Sequence, residues 1–110
     1  MKLPGGNHAI VDSQKLVGYC LDQDHPRGKH KARVFAAVLG FTAANADQLR
    51  KALLAAASAE EAEPTASDEF GKRYVIDFEV RGPRGIGIVR SSWILRQGEH
   101  APRLTSCYVK

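Results

Sequence analysis

Cysteine is scarce in this chain: the 110 residues contain two, Cys20 and Cys107, and neither sits at a metal-ligand spacing. Both read as small apolar core residues in a reducing compartment, with a disulfide left open. Aromatic residues make up only 7% of the chain, with a single Trp, so much of the 44% hydrophobic fraction is alanine and large core side chains are few. No apolar run approaches the roughly 18 residues of a transmembrane helix. The opening Met1-Lys2-Leu3-Pro4-Gly5-Gly6 has no apolar stretch of the signal-peptide kind. The expected location is therefore the cytoplasm, without a membrane partner, or a larger protein of which this is a delivered piece. No phosphate-binding Walker loop or dinucleotide fingerprint occurs; Gly85-Ile86-Gly87 lies within a predicted hairpin and serves the turn. No carboxylates pair in a catalytic pattern, and no internal repeat or low-complexity tail is present. These absences exclude zinc modules, P-loop enzymes and nicotinamide-dependent enzymes of the usual pattern, so no metal or cofactor is expected.

The chain does contain positive charge, concentrated in one place. The formal net charge is +4 and the pI about 9.3, a mild excess that permits nucleic acid as a partner without requiring it. In His25-Pro26-Arg27-Gly28-Lys29-His30-Lys31, five of seven residues carry or can carry positive charge. Proline and glycine hold the first part off a helix. Ala32-Arg33-Val34-Phe35-Ala36-Ala37-Val38-Leu39 then follows without a breaker. A cationic loop entering a helix suits an anion such as phosphate, whereas cations at that end oppose the helix dipole when nothing is bound.

The length fits one domain. Asp12 or Ser13 caps a first helix over 14–21, with Leu16, Val17, Cys20 and Leu21 on one stripe. The second helix spans 29–39, buries Val34, Phe35, Val38 and Leu39, and stops at Gly40. Asn45 and Gln48 stand at N-cap and N3 spacing before a third helix that ends near Ser58, with Leu49, Leu53 and Ala56 inward. The period then changes from 3.6 to 2. A weak strand over 62–67 precedes one in which Tyr74, Ile76, Phe78 and Val80 alternate with polar positions. Gly82-Pro83-Arg84-Gly85 turns the chain into a strand over 86–96, with Val89, Ser91 and Trp93 on one face and Ile88, Arg90, Ser92 and Ile94 on the other. A last strand over 104–109 sets Thr105, Cys107 and Val109 opposite Leu104, Ser106 and Tyr108. Helices followed by a meander define an α+β fold: two to three N-terminal helices on one face of a three- to four-stranded antiparallel sheet. The second sheet face is left for a ligand.

Each chemically capable residue has a structural alternative. His25 and His30 are the only groups in the basic cluster that titrate near neutrality, which suits a general acid or base; otherwise His25 orders its loop and His30 is solvated. Lys31, where the helix begins, suits phosphate contact, as do Arg27, Lys29 and Arg33 unless they form a solvated face. Arg90, in mid-strand, needs a ligand or an ion pair with Asp77 or Glu79. Ser92 and Thr105 supply hydroxyls beside it if the last two strands pair. Trp93 belongs to the core.

The run from Lys15-Leu16 through Tyr19 and Leu21 to His25-Pro26, Gly28, Lys31-Ala32 and Phe35 resembles a small uncharacterised bacterial domain family. Its pattern is K-L-x-x-Y-x-L-x-x-x-H-P-x-G-x-x-K-A-x-x-F. Phe70-Gly71-Lys72-Arg73-Tyr74, Arg90-Ser91-Ser92-Trp93 and Arg103-Leu104-Thr105-Ser106-Cys107-Tyr108 extend the likeness over nearly the whole chain. The outline also resembles the barnase/EndoU/colicin/RelE-like nuclease fold, whose members include toxin ribonucleases. That likeness implies metal-independent RNA cleavage by attack of the 2′-OH on the adjacent phosphate. His25, His30, Lys31, Arg90 and Thr105 are then the candidate catalytic residues, and Arg27, Lys29 and Ser92 the substrate-binding ones. RNA and a cognate antitoxin or immunity protein are the implied partners. The sheet lacks the catalytic histidine of some members, since His100 lies in a turn. The alternative expectation is a non-catalytic interaction module using the same basic surface.

Overall fold

The computed structural model describes residues 1–110. Its order is helices first, then a meander, as the change of period requires. Helix α1 begins as an α-helical turn, Ser13–Lys15, and widens into a π-helical stretch, Leu16–Cys20. Asp12 is its N-cap: the carboxylate accepts from the Gln14 N–H at 2.9 Å. Helix α2 runs α-helically over Lys29–Val34 and as π-helix over Phe35–Leu39, ending where Gly40 takes the left-handed conformation at φ 77°. Helix α3 spans Ala46–Ala59. Strands β1 (Glu63–Asp68), β2 (Gly71–Gly82), β3 (Gly85–Arg96) and β4 (Arg103–Val109) form one antiparallel sheet in the order β1-β2-β3-β4. The α+β class, the helix count and the strand count agree with the sequence reading.

Three local expectations are corrected. Val17, Val34 and Val38 are exposed rather than inward. Ala32, Phe35 and Leu39 carry the buried stripe of α2, because the short spacing of 32 and 35 sets the inward face and turns 34 and 38 out to solvent. Asn45 does not cap α3. It closes a capping box one turn earlier, accepting from the Thr42 N–H at 2.7 Å while the Thr42 side chain caps the 3-10 turn Ala43–Asn45 that leads into α3. In β4 a bulge opposite Ser92 and Trp93 inserts Thr105 between Leu104, which faces Trp93, and Ser106, which faces Ser92. Leu104 thereby joins Cys107 on the buried face, breaking the simple alternation.

The helices cover the sheet face formed by Tyr74, Ile76, Phe78 and Val80 of β2 and Val89, Ser91 and Trp93 of β3. Leu16, Phe35, Leu39, Leu49, Leu53, Ile76, Val89 and Trp93 are fully enclosed. With so few large side chains, each matters: truncating Leu49 or Leu53 to alanine removes on the order of 2–5 kcal/mol. The one buried polar residue here, Ser91, is satisfied on both sides: its hydroxyl donates to the Ile76 carbonyl and accepts from the Trp93 indole N–H, each at 2.9 Å. The N-terminal segment covers the β4 edge, with the Leu104 N–H donating to the Ile10 carbonyl at 3.0 Å. The opposite sheet face carries no helix. No helix is long and apolar enough to cross a membrane.

Candidate functional site

The cationic loop is built around His25. Its Nδ1 accepts from the backbone N–H groups of Arg27 and Gly28, each at 3.0 Å, and its ring stands edge-on to Tyr19 with centroids 4.8 Å apart. Nδ1 is therefore unprotonated, and only Nε2 is left to exchange a proton with a ligand. Gly28 is required because a Cβ there would lie 2.6 Å from the Tyr19 carbonyl oxygen. The tyrosine, histidine and glycine of the sequence pattern thus form one structural unit that sets the path of the loop into α2. Beyond it, Arg27 and His30 are exposed and Lys29 half-buried, and none of these three, nor Arg33, joins an ion pair.

Lys31 points the other way, to the sheet. Its Nζ lies 5.0 Å from the ring centroid of Tyr108 in a cation–π contact. Tyr108 is the direct cross-strand partner of Arg90. Alternation places both on the helix-free face, so the loop and the middle of the sheet meet at the Tyr108 ring. Arg90 is clamped to Asp77 on β2, Nε to Oδ1 at 2.7 Å and a second guanidinium nitrogen to Oδ2 at 2.8 Å. Lys110 adds a third contact to the same carboxylate at 3.1 Å. The Arg90 hydrogen bonds, with Lys110 beyond them, hold the Asp77 carboxyl down at about 2, and Asp77 in turn raises the guanidinium of Arg90. Lys31, Arg90 and Lys110 stand against Asp77 and, two residues along the strand, Glu79, which leaves a net positive surface.

The two hydroxyls fall nearby but differ in freedom. Thr105, extruded by the bulge, donates to the Ser92 carbonyl at 3.1 Å, and Ser92 shares the open face with Arg90. The structure therefore brings Lys31 and Arg90 together around Tyr108 with Ser92 one step along β3, and leaves His25 committed to its loop. Tyr108, Lys110 and Asp77 are the residues sequence reasoning did not assign to a site. Tyr108 was accessible to it through alternation, had the register of β4 on β3 been known. No three His, Cys, Asp or Glu side chains gather as a metal site would require.

Fold and site together define a small α+β domain with one sheet face covered by helices and the other carrying a basic strip fed by a histidine-ordered loop. The chain belongs to the domain of unknown function DUF6883, whose family model matches residues 2–110. No curated protein and no solved structure matches it. No match supports the wider likeness to metal-independent nuclease folds.

Proposed function

We propose that this is a metal-independent ribonuclease-like domain that holds an RNA phosphodiester over Tyr108. The observation that carries the reading is that Lys31 from the cationic loop lies over the Tyr108 ring, while Arg90 is the cross-strand neighbour of that tyrosine. Two cations beside an open face suit a phosphate whose charge grows as it becomes five-coordinate. The ring offers a surface on which a neighbouring base stacks. In this reading the 2′-oxygen bonds to phosphorus, its proton passes to His30, and the 5′-oxygen leaves with a returned proton, giving a 2′,3′-cyclic phosphate. His25 holds the loop and Ser92 and Thr105 orient the strand edge. Arg27 and Lys29 contact flanking phosphates, as unpaired cations do.

The test is cleavage of an unstructured RNA by the purified chain in excess EDTA, with Lys31→Gln and Arg90→Gln alongside. Loss of cleavage on the order of a hundredfold in each, with unchanged circular dichroism, supports the reading; equal cleavage by wild type and both variants sinks it. A second reading has a specific observation in its favour. Arg90 is already paired and His25 Nδ1 already used, an arrangement suited to binding without proton transfer. On that reading the domain is an interaction module for RNA or an acidic partner such as an immunity protein. RNA binding abolished by the same substitutions, with no cleavage and no growth arrest on expression, selects it.

A further inference from the structure

The two cysteines, 87 positions apart in sequence, meet in the core. Cys20 ends α1 and Cys107 lies in the middle of β4, and these two elements pack against each other. Both thiols are enclosed, at 1% and 0% exposure, and both are free. The two belong to one buried apolar cluster, and each thiol is the other's titrating neighbour. We propose that Cys20 and Cys107 are a redox couple, Cys20 attacking and Cys107 resolving, that a small hydroperoxide converts to a disulfide joining α1 to β4.

The environment supports the division of roles. The Cys107 thiol beside it outweighs burial and holds the Cys20 thiol down at about 7. Cys107, which donates to Cys20 and is buried, is pushed up. The pair therefore gives up one proton easily and keeps the other, as an attacking thiolate beside a protonated resolving thiol requires. The Cys20 thiolate attacks the distal peroxide oxygen; the O–O bond breaks, sulfur is oxidised to the sulfenic acid, and the other oxygen leaves as alkoxide or hydroxide and takes up a proton. The Cys107 sulfur then attacks the Cys20 sulfur, the S–O bond breaks, and the hydroxide leaves with the Cys107 proton as water. In sum, two thiols and one hydroperoxide give one disulfide, one alcohol or water, and one water. Because both thiols are enclosed, a small hydroperoxide is favoured over a bulky disulfide reagent. The bond closes a loop of most of the chain and raises the Tm by on the order of 10 °C.

The experiment treats the full chain with hydrogen peroxide at neutral pH. It follows free thiols after denaturation, intact mass, non-reducing peptide maps and Tm, with oxidised glutathione as the bulky comparison. Expected are loss of both thiols and of two hydrogens, a Cys20–Cys107 cross-linked peptide, a reducible rise in Tm, and reaction with peroxide at least tenfold faster than with glutathione disulfide. In Cys107→Ala the reaction stops at a Cys20 sulfenic acid that dimedone captures. In Cys20→Ala, Cys107 is inert. Persistence of both thiols in the wild type, a cross-link only between chains, or equal reactivity of the two single-cysteine variants overturns the proposal. The wild-type readouts decide the matter if a variant fails to fold, and none depends on RNA cleavage.

Discussion

Replacing Asp77 by Asn tests the electrostatics of the open face most directly. The carboxylate accepts two hydrogen bonds from Arg90 and one from Lys110, and together they lower its pKa from 3.8 to about 2. At about 1.4 kcal/mol per pH unit that difference corresponds to roughly 2.5 kcal/mol. The side chain is 32% exposed, and water screens such a pair, so the expected contribution is about 1 kcal/mol. The folded-state pKa lies below that of the unfolded chain. The stabilisation is therefore complete above about pH 5 and disappears as the pH falls through roughly 4 to 2. Urea unfolding should show wild type more stable than Asp77→Asn by about 1 kcal/mol near neutrality, with the gap closing toward about pH 2. A gap that stays constant over that range refutes the ion-pair account. The same substitution releases Arg90 and Lys110. Affinity for single-stranded RNA should then rise, and the slope of log affinity against log salt should steepen by about 0.7 for each added phosphate contact. If the stability arm holds and the affinity falls, the clamp is real and the RNA reading is wrong.

Ser91→Ala leaves the Trp93 indole N–H without its acceptor and costs on the order of 1–3 kcal/mol; Trp93 is the only tryptophan, so its fluorescence should shift in the folded state, and an unchanged spectrum and Tm contradict the assignment. His25→Ala removes the acceptor for two loop N–H groups and should lower stability by about 1–2 kcal/mol, with faster hydrogen exchange at Arg27 and Gly28; equal exchange rates argue against a structural histidine. Gly28→Ala should cost more than His25→Ala, because its Cβ meets a backbone oxygen that cannot move alone.

Much of the fold was legible from periodicity. The alternation from Tyr74 to Val80 and from Gly87 to Trp93 fixed which side of β2 and β3 is buried, because a strand with one covered face admits only one phase. Gly40 and Asp12 marked a helix end and a helix start through backbone chemistry that needs no partner elsewhere in the chain. The capping role of Asn45 was misread because two overlapping boxes, at 42–45 and 45–48, satisfy the same local pattern, and only the path of the chain into α3 selects the first. The β4 bulge was invisible for a similar reason: an inserted residue changes the face of Leu104 without changing any residue type.

The amino-acid sequence by itself determined the α+β class, where the helices and strands lie, that positive charge gathers at 25–31, and that Arg90 stands in mid-strand in need of a partner. Tertiary structure alone decided which partners are met. It gave Arg90 to Asp77, drew Lys31 away from its loop to the Tyr108 ring, tied His25 to Arg27 and Gly28, and set Cys20 against Cys107 across 87 positions. Periodicity and capping are local and survive in the order of residues. Register, a bulge and the docking of a helix on a strand edge are relations between distant segments, and they are fixed only when the chain closes on its core.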